Sequence, residues 1–258
     1  MLIFGLLIPF LGTVIGAASV FLMRKEMGGR PQKALAGFAS GVMVAAAVWS
    51  LIDPALEAVR ADSGLFAFLP VVLGIAAGFA FLLLLDEVIP HLHVHASAPE
   101  GRVSLGVKRS TMVCLAITLH NIPEGMAEGV VLAGSFSEAT AIDGAKVLAL
   151  TLGMALQNIP EGAIVSMPLA AEGGNKARSF FLGALSGVVE PLFAALTIFL
   201  SGSLGSLLPV LLSAAAGAML YVVVEELIPQ TAEPPHSNVG TIGFALGLIL
   251  MMILDNVL

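Results

Sequence analysis

The strongest constraint on this chain is its run of eight apolar segments, roughly 2 to 23, 34 to 58, 65 to 90, 110 to 134, 146 to 170, 180 to 200, 207 to 229 and 240 to 258. A helix needs about 20 apolar residues to cross the hydrocarbon core of a bilayer, and each segment meets that length. The connections are short and carry turn residues: Gly28-Gly29, Asp62-Ser63-Gly64, Gly173-Gly174-Asn175 and Pro234-Pro235. None has room for a soluble domain. The spacing predicts an all-α integral membrane protein, one bundle of eight transmembrane helices over residues 1–258. Composition points the same way. Hydrophobic residues make up 58% and charged residues 11%, against about 25% charged in soluble domains. So few charges cannot clothe a water-facing surface, so lipid must cover most of the exterior.

The net charge of −7 says little about partners, because several acids lie inside apolar runs and form no solvated patch. A nucleic-acid partner is not expected. The single cysteine, Cys114, excludes an intrachain disulfide and a thiolate metal cluster, and its apolar run predicts a core position. Met1 to Met23 has neither a basic leader nor a small-residue cleavage site and reads as a retained first span. Nine basic residues fall in loops one, three and five or at their edges: Arg24, Lys25, Arg30, Lys33, Arg102, Lys108, Arg109, Lys176 and Arg178. Only Arg60 and Lys146 fall on the other side. Cytoplasmic loops collect positive charge, so both termini are predicted outside. Six Gly-x-x-x-Gly pairs, Gly12/Gly16, Gly37/Gly41, Gly74/Gly78, Gly125/Gly129, Gly183/Gly187 and Gly243/Gly247, are read as close helix packing rather than as a dedicated dimer face.

The chemistry sits in a repeat. The fourth span contains His120-Asn121-Ile122-Pro123-Glu124-Gly125 and the fifth Gln157-Asn158-Ile159-Pro160-Glu161-Gly162, identical at five of six positions. Both lie near the midplane and run in opposite directions, which suggests a pseudo-two-fold axis in the membrane plane with a substrate site at its centre. Residues three and four apart share a helix face, so His120 and Glu124 can converge. Pro123 cannot donate to the carbonyl of Leu119, nor Pro160 to that of Leu156, which leaves acceptors beside the polar side chains. Imidazole, amide, carboxylate and carbonyl together suit a borderline divalent cation such as zinc. Asn121 alone is equally well read as repairing the proline-disrupted backbone.

Glu190, just before Pro191 in the sixth span, adds a third midplane carboxylate. A charge at that depth costs at least about 2.5 kcal/mol unless paired or neutralised. No Lys or Arg lies at comparable depth, so protons or a bound cation must neutralise the three acids. The cation is the preferred reading.

These hexapeptides resemble the ZIP family of metal transporters, particularly its bacterial branch. The resemblance extends over the whole chain: Gly12-Thr13 in the first span, Asp86-Glu87-Val88-Ile89-Pro90-His91 at the exit of the third and Glu225-Glu226-Leu227-Ile228-Pro229 in the seventh agree with it. It implies two adjacent metal positions. Met43, His120, Glu124, Gln157 and Glu161 would form the main one, and Asn121, Glu124, Asn158, Glu161 and Glu190 the second, with the glutamates bridging. Met43 by itself reads as core packing, and only the resemblance makes it a thioether ligand; Ser50 has the same standing. Gln157 stands where many relatives have histidine and Asn158 where some have aspartate. The weaker donors imply that iron, manganese, cobalt or cadmium compete with zinc. Glu128, one turn beyond Glu124, has no family role and reads equally as an entrance ligand or an interfacial acid.

Asp86, Glu87, His91, His93 and His95 end the third span, and Glu225 and Glu226 the seventh. Acids at span ends are usually solvated. The alternating histidines, with the resemblance, imply a cytoplasmic exit site of weak ligands, principally Asp86, His91, His93 and Glu226. The family also implies uptake into the cytoplasm across the cell (inner) membrane, one helix group sliding against another within a homodimer. An intramembrane zinc hydrolase is disfavoured, because HExxH is absent and only His120 among the histidines lies away from a loop or span end. A proton-coupled carrier of an organic cation is the stronger rival. It would want an aromatic pocket, and aromatics are 6% of this chain.

Overall fold

A computed structural model describes residues 2–22, 27–60, 64, 66–92, 101, 109–137, 142–171, 175–203 and 207–258, the side chains of 109–111, 113–114 and 202–203 excepted. Among the described residues the chain is all-helical, and one helix occupies each of the eight expected runs. These are α1 (Leu2–Leu22), α2 (Gly29–Val59), α3 (Leu69–Val88), α4 (Arg109–Gly134), α5 (Gly144–Ala171), α6, α7 (Leu208–Ala232) and α8 (Val239–Val257). The sixth is broken into Lys176–Ser186 and Val189–Ser203. Seven of the eight are long and apolar enough to cross a membrane. The exception is α4, which has the length at 26 residues but carries His120, Asn121, Glu124 and Glu128 along its middle.

The helices pair in two matching sets. Helix α1 lies along α5 and α6 along α4, while α2 lies along α8 and α7 along α3. That is the pattern a two-fold axis exchanging α1 with α6, α2 with α7, α3 with α8 and α4 with α5 would produce, as the inverted hexapeptides suggest. Glycine pairs make the contacts close. A Cβ on Gly12 or Gly16 would fall on the carbonyls of Ala155 and Ile159 of α5, and one on Gly125 or Gly129 on those of Glu190 and Ala194 of α6. Gly37 and Gly41 meet Gly240 and Phe244 of α8 in the same way, and Gly74 and Gly78 meet Val210 and Ala214 of α7. Gly183/Gly187 and Gly243/Gly247 are likewise filled by neighbours within the chain. All six pairs serve internal packing, where small residues let backbones approach.

Polarity is arranged inside out. Leu73, Leu83 and Leu84 on α3, Phe199 on α6 and Ile242, Leu246 and Ile253 on α8 are exposed. Buried instead are Asn121, Glu124, Glu128, Gln157, Asn158 and Glu190. Lipid suits the first set, and only mutual contacts or a ligand can satisfy the second. The main apolar cluster, with Met43, Leu51, Met154, Leu212 and Met219 at its centre, joins α2, α5 and α7 beside the polar residues.

Two π-helical segments interrupt α2 and α7, at Ala46–Ile52 and Val223–Leu227. They occupy the two helices that the two-fold axis would exchange. Each shifts the register of the side chains, and π-bulges of this kind are frequent at functional sites. In α7 the shift turns Glu226 into the protein and leaves Glu225 exposed.

Candidate metal site

Helices α4 and α5 run without interruption past Pro123 and Pro160, and present their hexapeptides to each other and to the break in α6. That break, at Gly187-Val188, starts a new half-helix on Val189 with Glu190 in its first turn. The carboxylate therefore sits at the positive end of a helix dipole. Gly187 packs against the side chain of Thr13, where a Cβ would come within 2.9 Å, and Thr13 Oγ1 donates to Glu190 Oε1 at 3.1 Å.

The two asparagines behave as a symmetric pair. Asn121 Nδ2 donates to the carbonyl of Ser186 at 3.0 Å and to Glu190 Oε1 at 3.2 Å. Asn158 Nδ2 donates to the carbonyl of Pro9 at 3.1 Å and to Glu190 Oε2 at 2.6 Å. The Asn121 amide thus mends the broken ladder of α6, not the proline site of its own helix. Beside them Gln157 Nε2 donates to Glu124 Oε1 at 2.8 Å, and the Glu161 carboxyl is a close neighbour of Glu124. Glu124, Gln157 and Asn158 have no exposure, and Asn121 and Glu190 are within 3% of none.

With the amide N–H groups committed in this way, the acceptors are left over. Glu124 Oε2, Gln157 Oε1, Asn121 Oδ1 and Asn158 Oδ1 are all buried and receive no hydrogen bond from the described residues. A buried unsatisfied acceptor typically costs about 1–3 kcal/mol, so four in one cluster require an explanation. A cation bound by oxygens supplies one. Among the described residues no three of His, Cys, Asp and Glu stand together as a metal cluster. The donor set therefore depends on amide oxygens as well as on carboxylates.

His120 lies at the edge of this group. Its Nε2 is 3.4 Å from Glu226 Oε2, and with Glu161, Glu226 and Gln230 it lines a cavity of ≈ 20 Å³. That is room for about one water. On the opposite side of Glu124, Gly5, Pro9, Glu128 and Glu190 close against one another with ≈ 0 Å³ between them. The cluster is thus sealed towards Glu128 and open towards Glu226.

At the end that carries Lys33 and His91 two of the acids, Asp86 and Glu226, are paired. His91 Nε2 is 2.9 Å from Asp86 Oδ1 and its Nδ1 is 2.8 Å from the carbonyl of Ile89. Tyr221 Oη donates to Asp86 Oδ2 at 3.1 Å, and Gln230 Nε2 to Glu226 Oε1 at 3.0 Å. Glu87 and Glu225 are exposed. His93 and His95 lie outside the described residues, as does the side chain of Cys114. Met43 is fully buried in the apolar cluster, the packing role that its own sequence reads as. Ser50, in the first π-helical segment, donates to Asp255 Oδ1 at 3.0 Å. Glu128 is buried at 3% exposure.

Sequence reasoning missed Gln230 and Tyr221 as partners of the acids, Thr151 as the partner of Glu128 and the carbonyls of Pro9 and Ser186. Only Thr13 carried a signal, as part of the Gly12-Thr13 resemblance. The others are ordinary residues on helices far away in sequence.

A family model described as "ZIP Zinc transporter" matches residues 103–255. The chain is 36% identical over 251 residues to the zinc transporter ZIPB of Bordetella bronchiseptica, covering 96% of this chain and 78% of that protein. It is 34% identical over 248 residues to the zinc transporter GufA of Myxococcus xanthus, covering 94% and 93%. Human zinc transporter ZIP11 is 31% identical over 320 residues, again covering 94% and 93%.

Proposed function

The chain belongs to the ZIP zinc transporter family, a family of multi-pass membrane transporters and not of enzymes, and from that premise we propose how it handles its cargo. A divalent cation, zinc first and iron, manganese, cobalt or cadmium in competition, binds at the midplane between α4, α5 and α6. His120, Gln157, Glu124 and Glu161, with Met43 nearby, form the main position, and Asn121, Asn158 and Glu190, with the shared glutamates, form the second. The observation that carries this reading is the set of four buried acceptor oxygens without donors beside Glu161 and Glu190. Metal–oxygen bonds satisfy them and neutralise the carboxylates together, which protons alone do only in part. Gln157 in place of histidine makes the site harder and less zinc-selective.

Cargo enters through the end near Glu128 and leaves through the His120–Glu226 cavity past Asp86, His91 and His93, which hold it only briefly. The closed packing above Glu124 and the cavity below it support alternating access. Every midplane oxygen donor lies on α4, α5 or α6, which with α1 form one closely packed group that can slide against α2, α3, α7 and α8 within a homodimer. Both termini face outside the cell (inner) membrane, and the eight helices form one domain. In a Cys114→Ser background, Arg30→Cys should be protected from an impermeant thiol reagent in intact cells and Glu57→Cys labelled. The reverse pattern removes the import direction.

Glu161→Gln tests the site itself, because it keeps the volume and removes the charge. A metal-binding glutamate predicts loss of zinc affinity and flux by at least about 100-fold, the upper range for losing a supporting partner, in a protein that still folds. A folded variant with normal zinc and cadmium flux would falsify the assignment and favour an organic cation as cargo.

A further inference from the structure

Glu128 stands outside the donor set above, one helical turn from Glu124 on the sealed side of the cluster. Thr151 Oγ1 of α5 donates to its Oε1 at 2.5 Å, while Oε2 is buried and receives no hydrogen bond. The carboxyl packs directly on α1, since a Cβ on Gly5 would lie 2.8 Å from Glu128 Oε1. Pro9, four residues further along α1, has no N–H to give the carbonyl of Gly5. The same turn of α1 therefore presents an acceptor that its own helix does not use. Lys146, the basic residue of α5 nearest in sequence, points its Nζ at Glu57 at 4.0 Å. The second oxygen of Glu128 has no hydrogen-bond partner among the described residues.

We propose that Glu128, Thr151 and the Gly5 turn of α1 form a further divalent-cation site, built of oxygen donors alone, on the path between the sealed end and the midplane. The inference rests on the midplane reading, and extends it by one site. Carboxylate, hydroxyl and carbonyl are hard donors, so this site favours Mn²⁺ more than the midplane does, where imidazole is available.

The test uses full-length protein, preloaded with zinc and titrated with Mn²⁺, with bound Mn²⁺ counted by electron paramagnetic resonance. Wild type should take up one Mn²⁺ per chain more than Glu128→Gln. Thr151→Val, which removes only the hydroxyl, should weaken that Mn²⁺ about tenfold, and both variants should keep the zinc affinity of wild type. Superimposable Mn²⁺ isotherms for the three proteins overturn the proposal. Loss of zinc from Glu128→Gln also overturns it, because Glu128 would then belong to the midplane set. If Glu128→Gln does not fold, Thr151→Val decides alone, and an unchanged isotherm sinks the idea. Failure of the midplane reading registers separately, as zinc binding that survives Glu161→Gln.

Discussion

The midplane cluster and the end cluster draw on similar side chains and treat them differently. At the midplane, amide N–H groups bind the backbones of α1 and α6 and the carboxylates, and four acceptor oxygens are left with nothing to accept. At the other end Asp86 is held by His91 and Tyr221, and Glu226 by Gln230 and His120. A site with unmet acceptors gains most from a cation. A site whose acids already have partners must break those contacts to bind one, so it binds weakly and releases quickly. On the reading proposed above, the contrast is what separates a holding site from a releasing one.

The largest effect should come from Glu124→Gln. This residue accepts from Gln157 and faces Glu161 with no exposure, so zinc affinity and uptake in proteoliposomes should both fall by at least about 100-fold. Next, replacing His91, His93 and His95 together by Ala should slow zinc flux several-fold and leave equilibrium zinc affinity nearly unchanged. An equal loss of affinity in both variants would erase the distinction between the clusters. Proton competition gives a smaller, graded effect. If His120, Glu124 and Glu161 hold the metal, protons compete with zinc for them, so raising the pH through about 5 to 8, where imidazole titrates, removes the competitor and zinc affinity should rise. A pH-independent isotherm would remove the imidazole and carboxylates from the site. The smallest effect is structural. Asn158→Ala frees the Pro9 carbonyl and one Glu190 oxygen, and should destabilise the protein by about 1–3 kcal/mol, read as a lower thermal unfolding midpoint.

Much of this was legible in the sequence, for identifiable reasons. The apolar runs located all eight helices because bilayer thickness sets a length that little else imitates. The inverted hexapeptides and Glu190 located the polar cluster, because buried acids without Lys or Arg nearby are rare in spans. The glycine pairs announced close packing, and all six achieve it. What escaped was register and partnership. A π-bulge adds one residue to a turn and leaves no mark on composition, so Glu226 and Glu225 read alike although only Glu226 is buried. The break in α6 was hidden in an apolar run, and with it the reason Asn121 reaches Ser186 instead of its own backbone. Thr13 is 177 residues from Glu190 and Asn158 is 149 from Pro9, contacts that only tertiary packing creates. The polar middle of α4 cost it the apolar character of a span while supplying much of the chemistry.

Zinc K-edge X-ray absorption on the full-length protein with one zinc bound tests the central claim most directly. A metal held between α4, α5 and α6 should show a first shell of oxygen and nitrogen at about 2.0–2.2 Å with one imidazole, that of His120, and this shell should be lost in Glu161→Gln. A shell of several imidazoles, or a spectrum unchanged in Glu161→Gln, would place the bound metal at His91, His93 and His95 and overturn the midplane assignment.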